Sequence, residues 1–146
     1  MTETLFRIFK GDTGAVDFAN VLWSAIQEWD DLHDEGKCQN HNALLSWLAF
    51  GKEYTPFFAA HSHIMRPALL QMYLGWQTAN TLERGSRDDV NKAYMLRAGY
   101  YQVLHMMAWI IGGDLWAAEV GPEIYRLYDE TADGLWAEMN EGANNA

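Results

Sequence analysis

The chain is predicted to fold as an all-α bundle, and three features of the sequence predict it. Apolar residues recur every three or four positions, helix start and stop residues punctuate those stretches, and no segment alternates apolar and polar residues with the β-branched content of a strand. Of 146 residues, 49% are hydrophobic and 14% aromatic, enough core-forming surface for a single domain. No internal repeat, low-complexity stretch or Pro/Ser-rich linker divides the chain. The expected architecture is therefore one compact domain over 1–146, a bundle of about six helices around a central helix at 87–111. The ends, about 1–12 and about 140–146, are expected to be its loosest parts.

Each element has its own signal. Gly11, Asp12, Thr13 and Gly14 precede Phe18, Leu22, Ile26 and Trp29 at helical spacing, which predicts a first helix over about 15–34. A polar turn follows from Gly36, and Leu44, Leu45, Trp47 and Leu48 read as a short second helix ended by Gly51. Thr55 and Pro56 make an N-cap and first-turn pair that opens a short helix through Phe57 and Phe58. Pro67 is expected to start another, with Leu70, Tyr73, Leu74, Trp76 and Leu82 as its buried stripe and Gly85 as its stop. Ser86 with Asp89 three residues later resembles a capping box, and Gly112 and Gly113 supply the stop for the helix it opens. From Tyr100 to Ile111 that helix is apolar nearly all round, which predicts a central position. A short helix at 115–120, the breaker pair Gly121 and Pro122, and a last helix over about 122–140 complete the expected order.

Charge narrows the function classes. Twenty Asp and Glu against 10 Lys and Arg give a net charge of -10, so direct binding of a nucleic-acid backbone is not expected. The acids cluster at Glu28, Asp30, Asp31, Asp34 and Glu35, and again in the tail from Asp114 to Glu141, where Arg126 is the sole base. Such surfaces either keep a protein soluble or dock a basic partner. The longest apolar stretch, 103–111, is interrupted by His105 and falls far short of the roughly 20 residues that span a bilayer. The lone Cys38 and the absence of a basic start and long apolar run at the N-terminus lead to the expectation of a reducing, intracellular setting.

A few polar residues stand out against the apolar pattern. Arg97, Tyr101 and His105 lie four apart on the expected central helix, which aligns them along one stripe. A guanidinium buried there needs a carboxylate, and the first helix offers Asp30, Asp31 and Asp34. Those three acids crowd one and a half turns, and either Mg²⁺ or Arg97 would relieve their repulsion. The functional reading makes Asp30, Asp31 and Asp34 metal ligands, Arg97 an anion clamp and His105 a general acid or base, with Tyr101, His61 and Trp29 facing a ligand. The alternative reading makes the acids a solvated helix end, and Arg97 and His105 satisfied groups that fix helix register. His61 and His63 stand two apart with no second close pair of His or Cys, so structural zinc is not expected.

Two resemblances attach to these residues. The stretch from about Phe18 to Glu138 resembles a group of proteins encoded by tailed bacteriophages. The residues that carry the likeness are Trp29-Asp30-Asp31-Leu32 with Asp34, Thr55-Pro56-Phe57-Phe58 with His61, Trp76 with Asn80, Arg97, and Gly112-Gly113. That resemblance implies a viral origin, in the host cytoplasm or associated with the virion. Asp30-Asp31-Leu32-His33-Asp34 is also similar to the DDxxD motif of the trans-isoprenoid synthases, which implies Mg²⁺ and a diphosphate ligand. The expected function is contact with a host or phage protein. A Mg²⁺-dependent enzyme on a phosphate or diphosphate substrate, and a binder that sequesters a small nucleotide, are carried beside it. Aromatic stripes on the second and last helices would permit a homo-oligomer.

Overall fold

The computed structural model describes residues 1–34 and 55–144, apart from the side chains of 28–29, 31–34 and 141–144. These residues form, in order, α1 (Thr2–Ile8), α2 (Thr13–Asp34), α3 (Pro56–Leu82), α4 (Arg87–Arg97), α5 (Gly99–Arg126) and α6 (Ala132–Asn144). Among the described residues there is no strand, as the periodicity predicts. The short helix expected at 44–48 lies outside the described residues.

The first helix expected from the sequence is α2. Asp12 caps it, its Oδ1 accepting from the Ala15 amide at 3.0 Å, and Ala15, Phe18, Ala19, Leu22 and Ile26 are buried along one face. The N-terminal segment departs from expectation. Residues 2–8 are helical, not loose, because Leu5, Ile8 and Phe9 recur at one-turn spacing and are fully buried. So short an apolar row lies below the window in which periodicity can be read. The Trp116 indole donates to the Ile8 carbonyl at 2.8 Å, and an Arg7–Glu123 ion pair adds a second tie to α5. Lys10 and Gly11, at φ 52° and 79°, turn the chain into α2.

Thr55 is extended and Pro56 occupies the first turn of α3, the expected start. The expected restart at Pro67 does not occur. The helix runs through it to Leu82 and carries one non-helical residue upstream, His61 (φ -125°, ψ 25°). The buried row is Met65, Leu69, Met72, Trp76 and Ala79 with Tyr73, whereas Leu70 and Leu74 face out, 54% and 52% exposed. Burial along that row outweighs the single backbone hydrogen bond that Pro67 removes.

The expected continuous helix at 87–111 is also corrected. Ser86 caps α4 through the Asp89 amide as predicted, but helical geometry breaks at Ala98 (φ -76°, ψ 3°) before α5 begins. Close packing on α3 supplies the reason. A Cβ on Gly99 would lie 3.0 Å from Met72 Cγ, and one on Gly75 would lie 3.4 Å from Leu96, so both limbs approach α3 more closely than one straight rod allows. Gly113, at φ 83°, bends α5 where a stop was expected. Gly121 and Pro122 separate nothing; both lie inside α5. The last helix starts instead at Ala132, where the Thr131 hydroxyl accepts from the Gly134 amide at 2.9 Å.

The centre is shared by two long helices: α3 packs on α2, α4 and α5, and α5 also meets α2 and α4. Phe18 stacks on Phe58 at 5.8 Å, and Met65, Leu104, Met107 and Ile124 are fully buried beside them. No described helix is long and apolar enough to cross a membrane. Leu104→Ala is expected to lower unfolding free energy by about 2–5 kcal/mol. Leu115→Ala, at a position 88% exposed, should stay within about 0.5 kcal/mol of the parent, both read from urea melts.

Candidate functional site

The end of α3 presents Trp76, Asn80 and Glu83 at four- and three-residue spacing, and therefore on one face. Arg97, the last residue of α4, lies across that face. Its Nε donates to Glu83 Oε1 at 2.8 Å, its Nη2 donates to Asn80 Oδ1 at 2.6 Å, and the guanidinium sits 4.2 Å from the centre of the Trp76 ring. Both members of the pair are largely withdrawn from water, with 15% and 12% of their side chains exposed. The requirement that a buried guanidinium meet a carboxylate is satisfied by Glu83, which follows the last residue of α3 and was not singled out in the sequence.

Beside this pair a chain of rings runs through the bundle. Tyr94 stacks on Tyr128 at 5.1 Å, Tyr128 on Tyr101 at 5.0 Å, Tyr101 meets Tyr100 edge-on at 5.2 Å, and Tyr100 tilts against Trp23 at 5.1 Å. The hydroxyls tie down backbone. Tyr94 donates to the Glu130 carbonyl, Tyr101 to Leu127, Tyr128 to Tyr94 and Tyr100 to Ala19. Three of these bonds hold the 127–131 connection against α4 and α5, which is how Tyr128, Asp129 and Glu130 come to stand beside Arg97. Burial, with Asp129 adding a like-signed charge, pushes the Tyr101 hydroxyl up to about 12. Burial likewise raises Tyr100 and Tyr128, reinforced by Tyr101 for the first and by Tyr94 and Glu130 for the second. All three are neutral donors at physiological pH.

These groups enclose a cleft of about 310 Å³. Its apolar part comes from Trp23, Ile26, Leu135 and Met139 with the ring chain. Among the described residues, five acidic ones, Asp30, Glu83, Asp129, Glu130 and Glu138, line it against one basic residue, Arg97. The arrangement suits a group that is positively charged at one end and apolar along its length.

The remaining expected residues scatter. His105 does not share the cleft with Arg97 and Tyr101. It lines a separate apolar cavity with Ile64, Gln102, Met106, Trp109 and Ala117, because four-residue steps drift about 40° each around a helix and the break at Ala98 disrupts the stripe further. Its Nε2 bonds the Ala117 carbonyl at 2.8 Å and its Nδ1 lies 3.4 Å from the Tyr125 hydroxyl. A Cβ on Gly121 would come within 3.1 Å of that Nε2, so the glycine makes room for the imidazole. His61 is the kink residue of α3, tilts against the Phe57 ring at 4.8 Å, and borders a third cavity with His63 and Asp114. Among the described residues no group of three His, Cys, Asp or Glu can hold a metal ion. Of the first-helix residues Asp30 reaches the cleft, while the side chains of Trp29, Asp31 and Asp34 lie outside the described residues.

Glu83, Tyr94, Tyr128, Asp129 and Glu130 were not anticipated as site residues. The spacing of Trp76, Asn80 and Glu83 was the signal available for the first, and that of Tyr94, Arg97 and Tyr101 for the second. Tyr128, Asp129 and Glu130 carry no such signal, since a connection outside a helix places them. No protein-family model matches the chain, and no curated protein or solved structure is significantly similar to it.

Two outcomes follow from this geometry. In the unfolded chain Tyr101 ionises near its ordinary value of 10.0, and in the folded chain near about 12. The stabilisation is present below pH 10 and is lost as pH rises through that interval, so denaturant melts should show stability falling from pH 10 to about 12. Tyr101→Phe should remove its share of that fall and leave the shares of Tyr100 and Tyr128. Gly121→Ala should cost about 1–3 kcal/mol by crowding His105, and the added change His105→Ala should recover part of that loss in the same melts.

Proposed function

We propose that this protein works by non-covalent contact with a basic protein partner, and that the cleft bounded by α2, α3, α5 and α6 is where the contact is made. One observation carries the proposal: among the described residues five acidic residues line the cleft and Arg97 is its single basic one, engaged by Glu83 and Asn80. A surface of that sign attracts positive charge and repels anions, and the net charge of -10 extends the field beyond the cleft. The likeness to proteins of tailed bacteriophages suggests a host factor or a virion subunit as the partner.

The same observation weighs against a diphosphate substrate in this cleft. Arg97, the expected anion clamp, would have to leave Glu83, and no other cation lines the cleft among the described residues. The cleft hydroxyls of Tyr100, Tyr101 and Tyr128 donate to backbone carbonyls and are raised above their ordinary pKa, which suits them to packing and not to proton transfer near neutrality.

Affinity capture with the full chain and with Asp129→Lys/Glu130→Lys tests the contact. The expected result is a basic protein held by the parent, absent from the variant, and released as ionic strength rises from about 0.1 M to about 1 M, where the screening length falls from about 10 Å to about 3 Å. Equal retention by the variant, or Mg²⁺-dependent turnover of a diphosphate by the parent, would overturn the proposal.

A further inference from the structure

We infer that the outward face of α3 and the adjoining first limb of α5, 99–113, form an interface between two copies of this chain. Charge is segregated away from that face. No Asp or Glu stands between Pro56 and Leu82, Arg66 is the one base there, and 99–113 holds no Asp, Glu, Lys or Arg, in a chain with 20 acids and 10 bases. The face is nevertheless turned to water. Pro67, Leu70 and Leu74 are exposed on α3, and Gln102, Met106 and Trp109 on α5, while Arg66 leans over the Phe58 ring at 5.7 Å. The solvent side of a helix ordinarily carries charged and polar residues, whereas loss of charge with gain of Trp and Met is the composition of an interface core.

Charge, shape and area then point to a second copy as the occupant. Each copy carries a net charge of -10, so two copies repel one another at their acidic surfaces, and on this face they meet without setting carboxylate against carboxylate. Leu70 and Leu74, one turn apart, make a ridge. Beside it lie two open cavities of about 490 Å³ and about 530 Å³, both lined by Ile64 of α3 and Trp109 of α5. Three-residue steps from Ile64 through Pro67 to Leu70 lead around α3 from that groove to the ridge. A two-fold axis lets the ridge of each copy enter the groove of the other, the self-match that an isologous contact requires. The 27 residues of α3 run about 40 Å and the 99–113 limb about 22 Å, each about 10 Å wide. The face therefore offers about 600 Å² per copy, or about 1,200 Å² for the pair, the lower end of the range for specific interfaces. It shares no lining residue with the acidic cleft.

Sedimentation equilibrium of the full chain from about 1 μM to about 1 mM tests the interface, with two-dimensional NMR over the same range. The expected result is a mass that doubles with concentration and a Trp109 indole resonance that moves on dilution. Leu70→Asp/Leu74→Asp should raise the dissociation constant about tenfold or more. Phe6→Asp, at an exposed position on α1, should associate like the parent. Salt screens the repulsion between like-charged copies, so association should tighten from about 0.1 M to about 1 M ionic strength, opposite in sign to capture of a basic partner at the cleft. Should the double variant lose its melting transition, Leu74→Gln alone should still weaken association about threefold or more.

A single mass across the whole range overturns the interface, as does unchanged association in the folded variants. Doubling of the mass with a stationary Trp109 resonance overturns it in favour of another face. A concentration-independent monomer whose melting temperature falls in Leu70→Asp/Leu74→Asp has the face covered by its own chain, and one that binds phosphatidylcholine vesicles has it covered by lipid. Either result overturns the pairing. Capture of a basic protein is read at Asp129 and Glu130 on the other face, so the loss of one reading leaves the other standing.

Discussion

A guanidinium withdrawn from water at the end of α4 has to meet a carboxylate, and the place of Glu83 just past the last residue of α3 decides how those two helices join. Breaking such a pair by removing one member typically costs about 3–5 kcal/mol, because the other charge is left stranded. The Arg97–Glu83 contact is reinforced by Asn80 and by the Trp76 ring, so the guanidinium is fixed on several sides. It sits immediately before the break at Ala98, where the chain leaves α4 and enters α5. The polar pair and the tight apolar contacts at Gly75 and Gly99 thus act on one junction, and each makes the other's geometry possible.

From that junction the ring chain extends the order outward. Tyr94 belongs to α4, Tyr100 and Tyr101 to α5, and Tyr128 to the connection that follows α5. Stacking lines them up, while their hydroxyls satisfy backbone carbonyls that a helix end leaves without partners. The 127–131 connection is therefore a shaped wall. It carries Asp129 and Glu130 to the cleft and launches α6, whose Leu135 and Met139 close the far side. α6 itself leans on α4, with Arg87 over the Trp136 ring and paired to Asp133.

The cleft is consequently built from groups that have structural tasks, and among the described residues acids outnumber bases in its lining. Acids gathered around a concavity raise one another's energy when both are ionised, a cost that a cationic partner would remove on binding. That physical logic links the acidic composition of the whole chain to one place on its surface, and it separates the cleft from the apolar cavity at His105 and from the one beside His61.

The all-α class, the caps at Asp12, Ser86 and Thr55–Pro56 and the buried face of α2 could all be read from the sequence, because each depends on residues within a turn or two of one another. So could the need of Arg97 for a carboxylate. Which carboxylate it takes, the break at Ala98, the unbroken runs through Pro67 and Pro122, and the separation of His105 from Arg97 were settled only by tertiary packing. A proline's lost hydrogen bond or a four-residue stripe is a local quantity of about one interaction, and helix faces pressed together along their whole length outweigh it. Tyr128, Asp129 and Glu130 show the limit most plainly: they lie outside any helix, so no periodicity marks them, and they join the site because hydroxyls on two other helices hold their backbone in place.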